Sequence, residues 1–379
     1  MYNWTKDDIK KKIALYEKAI DAETDPYKKA QMAMEVDFDK NSLFNEFNDI
    51  NIKRDSLKKK LFNAYNIHLI ANRYVDLALD FHNGILKDNV GLFKALHSLE
   101  THQKRIKRVN DKINYSYDEI LAYTNLFYSR FDGELYKLFL ESYNQRFDHV
   151  NFSTIEQKGD YLECGYCFYL FSEKANYINL LKSSGIDPVY TAIHEFGHAI
   201  ANSYNPKAVL YDNKTTEVSS FFPEFVALDQ NITGAHQLIR ASKDIELLTV
   251  LHDFASSIYY QNQILYIWSS HNYKTDFGFY LDCFQNGFSY AGIKESFLGD
   301  VSEDLTYATS AYITFYFLSL YRKDPKFAIN KYKDFLKYVD KDDVLYEFIS
   351  SQVRDDVYGE IEDRIASVYD TSKKYGGRK

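Results

Sequence analysis

The sequence predicts a mainly α-helical protein with one small antiparallel β-hairpin or sheet. Three observations carry that prediction. Breakers are rare, with 5 prolines and 15 glycines in 379 residues. Apolar residues recur at helical spacing over most of the chain. One aromatic-rich segment, residues 158–181, departs from that spacing.

Helical periodicity runs over roughly 5–21, 27–47, 50–85, 88–110, 116–130 and 133–147. The lysine clusters Lys10-Lys11-Lys12 and Lys58-Lys59-Lys60 read as solvated helix faces. KGDYLECGYCFYLFSEKANYINLL (158–181) reads as two short strands joined by the SEKAN turn. Helix resumes near Asp187, where Pro188 suits a first turn, and runs to about Tyr204. The loop NPKAVLYDNKTT follows. Further helices are expected at about 215–231, 235–270, 303–321, 325–339, 341–352 and 355–369. Residues 271–302 are less regular and hold Gly278, Gly287, Gly292 and Gly299. With no repeat, low-complexity tract or clear linker, the chain reads as one continuous structural unit.

The formal charge of -8 argues against nucleic acid as the main partner. No apolar run reaches the ~20 residues of a membrane span. The start, MYNWTKDDIKKKIALYEKAI, lacks the apolar core of a secretory signal. The expectation is a cytoplasmic protein with no membrane partner. The odd, low cysteine count (Cys164, Cys167 and Cys283) fits a reducing compartment. Cys164-Gly165-Tyr166-Cys167 is a lone CxxC, read as two small residues in a strand. The 34 tyrosines and 28 phenylalanines must mostly pack between helices.

Within the helix DPVYTAIHEFGHAIANSY, residues 194–198 read His-Glu-Phe-Gly-His. Residues four apart share a helix face, so His194 and His198 can offer two imidazole nitrogens to one metal ion. Glu195 leans toward the same site and can act as general base on a metal-bound water. Ile193, Phe196, Gly197, Ala199 and Ile200 surround this trio, so the helix reads as buried. Buried polar groups need partners, and a metal supplies one. This is the zincin pattern of a metallopeptidase.

A catalytic zinc wants three protein ligands. Downstream, in TTEVSSFFPEF, Glu217 is the first carboxylate that starts a helix. The stretch after His198 is long enough to end one helix, turn, and start a second beside it. Glu224 lies two turns on and shares the face of Glu217, so one carboxylate can ligate while the other holds a ligand histidine by its free N–H. Asp212, on the loop, is the competing ligand. A third-histidine variant finds no candidate before His236.

HEFGHAI followed by TEVSSFFPE resembles the thimet oligopeptidase and oligoendopeptidase F family of zinc peptidases. In that family HExxH is followed by E-V-x-S-x-x-x-E. The resemblance implies a zincin-like helical catalytic domain binding one Zn2+. It makes His194, His198 and Glu217 the ligands, Glu195 the base and Glu224 a supporting second-shell residue. KGDYLECGYCFYLFSEKANYINLL is similar to the family's hairpin over the cleft, with Gly165 and Tyr166 where the edge pairs with substrate backbone. Such pairing gives affinity independent of side chains. LTYATSAYITFYFLSLY resembles the family's Y-x-Y-x-Y-A-T-G helix and leaves Tyr307, Tyr312 and Tyr316 as candidate phenol donors to an oxyanion. Leu305 stands where the family has a tyrosine, and the family's histidine before that helix is absent.

The resemblance runs from about Tyr115 to Tyr346. It implies a catalytic zinc peptidase region at 115–379 and an N-terminal helical region at 1–114, reduced relative to the family. A reduced wall leaves the cleft open unless a dimer compensates for it; the sequence does not fix the oligomeric state. The expected activity is zinc-dependent, oligoendopeptidase-like hydrolysis of peptide bonds in short peptides. A zinc carboxypeptidase with the same ligands is one rival. It would need a cationic anchor for the substrate carboxylate, and Arg240 is merely near in sequence. A non-catalytic peptide-binding relative is the other, though a binding module has no need of Glu195.

Overall fold

The computed structural model describes residues 6–24, 90–154, 165–206, 215–270, 301–338 and 351–376, with single positions 29, 32, 33, 36, 82 and 83. Apart from those positions, the helices expected over 27–47 and 50–85 lie outside the described residues. So do most of 341–352 and nearly all of the irregular stretch 271–302.

The N-terminal elements are α1 (Lys6–Ala22), α2 (Val90–Glu100), α3 (Gln103–Asn110), α4 (Tyr117–Phe131), α5 (Gly133–Asn144) and the single turn α6 (Arg146–His149). Strands β1 (Val150–Thr154), β2 (Tyr166–Leu170) and β3 (Ala175–Lys182) follow. Then come α7 (Asp187–Tyr204), α8 (Val218–Asp229), α9 (Gln237–Ser270), α10 (Val301–Lys323), α11 (Pro325–Tyr338) and α12 (Ser351–Gly376). The fold is mainly α with one small sheet beside α7, as the sequence predicts. No described helix is long and apolar enough to cross a membrane.

Two local differences from the expected pattern have physical causes. The helix expected over 88–110 divides at Thr101 and His102, where the His102 N–H turns back to the Leu99 carbonyl at 2.8 Å. The sheet has three strands, in the order β1-β3-β2. β2 pairs antiparallel with β3, as expected of the hairpin, while β1 pairs parallel with β3 and was not foreseen. A parallel neighbour arrives through a long connection and leaves no turn signature in sequence.

α4 starts on a capping box, with the Ser116 hydroxyl accepting from the Glu119 N–H while Glu119 accepts from the Ser116 N–H. α5 starts on Asp132, whose carboxylate accepts from two backbone N–H groups. These helices pack on α7, which also touches α8, α11, β2 and β3. Buried side chains ring α7 on several sides, from Val189 and Tyr190 through Ile193 and Phe196 to Ile200, as befits a helix enclosed by neighbours rather than lying on a surface. Phe196 meets Phe139 at 4.9 Å between centroids, and Phe139 stacks on Tyr128 at 4.9 Å.

α8 carries a proline inside it, Pro223. Proline has no N–H for the carbonyl four residues back, so the Ser219 oxygen loses its helical partner. The Tyr332 hydroxyl on α11 supplies one, donating to that oxygen at 2.8 Å. The same oxygen faces α7. A Cβ on Gly197 would stand 2.5 Å from it and 2.9 Å from Ser220 Cα, so only glycine lets the two helices approach this closely.

Candidate metal centre

α7 and α8 bring together the residues named from sequence. His194 Nε2 lies 3.3 Å from Glu217 Oε2, and His198 Nε2 lies 3.4 Å from the same oxygen. Among the described residues, His194, His198 and Glu217 form the one group of three or more such side chains with ligand atoms close enough to share a metal ion. A tetrahedral zinc site with ligand bonds of about 2.05 Å has its ligand atoms about 3.3 Å apart. The two measured separations fit that spacing. Glu217 immediately precedes α8, and the Ser220 hydroxyl reaches its carboxylate at 3.2 Å.

Glu224, two turns along α8, accepts from His194 Nδ1 at 2.8 Å, the contact expected of it. Ser219 Oγ stands 3.2 Å from His198 Nδ1. Phe221 covers His194 with an edge-on ring contact at 5.4 Å.

Glu195 is 4% exposed, and its Oε2 has no hydrogen-bond partner within the protein. Burial raises its pKa, against the pull of His194 and His198. Glu217 behaves oppositely. Burial pushes its pKa up, but the charge of His198 and hydrogen bonds from both histidines outweigh that and hold it far below the usual carboxylate range. His194 is held well above the ordinary histidine value: burial opposes the proton, and Glu217 and Glu224 overcome it. Three carboxylates, Glu195 and Glu224 buried and Glu217 partly buried, thus converge on two imidazoles. A divalent cation suits this donor set of two nitrogens and one oxygen, and the orphaned Glu195 oxygen leaves an acceptor beside it.

A Cβ on Gly165 would fall 2.7 Å from Thr191 Cγ2 and 2.9 Å from Glu195 Oε1. The bare backbone just before β2 therefore lies against Glu195, and β2, beginning at Tyr166, stands at one end of the sheet among the described strands. Burial, and then the charge of Glu195, push the Cys167 thiol well above its usual pKa, unlike a redox cysteine. Cys164, Cys283 and Asp212 lie outside the described residues.

Of the three tyrosines on α10, Tyr307 touches Phe221, the ring that covers His194. Its ring is 6.0 Å from Phe221 and stacks on Phe254 at 4.4 Å. Tyr312 is 1% exposed in the core, and Tyr316 packs against Phe317. Arg240 spends its guanidinium on the carbonyls of Leu228 and Asp229 at the end of α8. The His236 ring accepts from the Leu238 N–H at the start of α9.

Sequence reasoning missed Ser219, Ser220 and Tyr332. Serines near a helix start read as caps, and a single tyrosine in an aromatic-rich chain carries no flag. The usable signal was a pair of hydroxyls in an otherwise apolar first turn directly after a ligand.

Among solved structures, the chain is similar to a candidate peptidase from Chlamydophila abortus, with a TM-score of 0.54 and 13% identity over 91% of this chain and 62% of that one. It is also similar to a candidate oligoendopeptidase F from Bacillus anthracis str. Ames, with a TM-score of 0.50 and 14% identity over 89% of this chain and 64% of that one. The chain thus spans less than two thirds of the length of either structure, and the likeness is one of fold. No family model and no curated protein matches the sequence.

Proposed function

We propose that the protein is a zinc-dependent peptidase that hydrolyses bonds within short peptides, with His194, His198 and Glu217 as metal ligands and Glu195 as general base. One observation carries the reading. Two imidazole nitrogens stand 3.3 and 3.4 Å from one carboxylate oxygen, beside a buried carboxylate with an unbonded oxygen. The oligoendopeptidase-like fold agrees with it.

When bound, zinc supplies Lewis acidity, acidifying a water and drawing charge from the scissile carbonyl. Glu195 takes the water's proton as its oxygen attacks the carbonyl carbon, then passes that proton to the departing amine nitrogen. Glu224 holds His194 by its Nδ1–H. Gly165 and Tyr166, at the β2 end of the described strand order, are the proposed backbone partners of an extended peptide that adds as a strand. Tyr307 is the proposed phenol donor to the oxyanion, because its ring adjoins Phe221, which covers His194. Leu92, Ala95 and Leu99 share one core with α7, which supports residues 1–114 and 115–379 forming one unit.

The test is a mixed library of short peptides incubated with the full chain and read by mass. Internal cleavage that stops with a chelator and returns with zinc is expected. Release of single C-terminal residues alone would assign a carboxypeptidase, and no turnover by zinc-loaded protein would leave a peptide-binding relative.

A further inference from the structure

The proton inventory of the Ser219 hydroxyl decides what its contact with His198 does. Ser219 Oγ lies 2.7 Å from the Thr216 carbonyl oxygen and 3.2 Å from His198 Nδ1. A hydroxyl carries one proton, and a carbonyl oxygen can only accept. The shorter contact takes the proton. Toward His198 the serine therefore offers a lone pair alone, and Nδ1 must carry the hydrogen and donate it. In the neutral ring Nε2 then keeps its lone pair for a metal; the hydrogen bond from Nε2 to Glu217 Oε2, 3.4 Å away, belongs to the protonated ring.

We propose that Ser219 is a positioning residue for the metal centre, whose hydroxyl holds His198 in the Nδ1–H tautomer and fixes the ring so that Nε2 is presented as a ligand. The inference rests on the zinc reading above. It pairs Ser219 with Glu224: each ligand histidine donates its Nδ1–H to a different side chain of α8, one to a carboxylate and one to a hydroxyl.

Ser219 is a firm support for three reasons. It is 4% exposed, which leaves little room for water to replace its oxygen. Its own carbonyl is taken by Tyr332. Gly197, next to His198, lets α7 close onto the Ser219 backbone, and that approach brings Oγ within reach of the ring.

Zinc is titrated into the metal-free full chain against a chromophoric chelator, for the parent, Ser219→Ala and Ser219→Thr. Losing such a support weakens metal binding by roughly 10–100-fold. Ser219→Ala is expected to show that loss, and Ser219→Thr, which keeps a hydroxyl, to bind as the parent does. Equal affinity in parent and Ser219→Ala overturns the proposal. A second measurement needs no variant. Long-range proton–nitrogen NMR of the metal-free parent, at a pH where His198 is neutral, should report the hydrogen on Nδ1; a hydrogen on Nε2 overturns the proposal as well. A tautomer fixed in the parent and released in Ser219→Ala, with zinc bound by neither protein, would support the hold on the ring and sink the zinc reading instead.

Discussion

Burial and an unbonded oxygen make Glu195 a poor structural residue and a suitable base. Glu195→Gln keeps the shape and the packing but removes proton acceptance. The expected outcome is full zinc occupancy by elemental analysis and a fall in turnover of about 10²–10⁴-fold. Cleavage at the parent rate would remove Glu195 from the mechanism. His194 supplies a second test. Its pKa in the metal-free protein lies well above 6.5, because Glu217 and Glu224 favour the proton more than burial opposes it. The imidazole therefore carries a proton at neutral pH and must lose it to ligate, so zinc affinity falls as pH drops and rises as pH climbs through that raised value. Titration calorimetry at pH 7 in buffers of different ionisation enthalpy should report proton release on binding, and none would contradict this account. That His194, His198 and Glu217 come together was legible in the sequence, because residues four apart share a helix face and the next helix starts on a carboxylate. Ser219 was not, because a serine near a helix start serves many ends, and only the distances to Thr216 and His198 pick out this one.

Between elements, the site depends on how closely α7 and α8 lie. Gly197→Ala would put a methyl 2.5 Å from the Ser219 carbonyl oxygen, which is backbone and cannot swing aside. The helices must part, at a cost of about 1–3 kcal/mol in stability. Zinc affinity should fall with it, because His198 and Glu217 sit on opposite sides of that contact. Denaturant unfolding and zinc titration check the two effects, and an unchanged affinity would refute the coupling. Tyr332→Phe acts from the other side. It orphans the Ser219 carbonyl that Pro223 has already freed, a loss of about 1–3 kcal/mol readable as a lower denaturation midpoint. The bounds of α7, Asp187 to Tyr204, could be read from Pro188 and from unbroken periodicity. The parallel strand β1 could not, since its partner β3 lies beyond the whole of β2 in sequence.

At the scale of the whole molecule, the apolar core and an ionic cluster around Arg364 join the helices. Arg364 is fully buried, with Asp229 at 2.6 Å, Asp244 at 2.7 Å and Glu360 at 2.8 Å, so it ties α12 to α8 and α9. Little in the sequence marks this arginine: Glu360, four residues back, reads as an ordinary helix pair, while Asp229 and Asp244 lie far away along the chain. Its presence bears on what zinc removal does. α8 carries Glu224, directly follows Glu217, and is anchored at its far end by Asp229 to Arg364 and at its near end by Ser219 to Tyr332. Loss of the cation should therefore relax the ligands without releasing the helix. Binding to the native state alone adds RT ln(1 + [L]/Kd), about 2.7 kcal/mol at a hundredfold excess over Kd. For a chain of this size that is a rise of a few degrees in the unfolding midpoint. A chelator should lower the midpoint by that amount and leave the far-ultraviolet circular dichroism at 20 °C unchanged. Collapse of the helical signal on chelation would mean that the metal builds the fold, and a midpoint indifferent to both zinc and chelator would mean that the native state does not bind it.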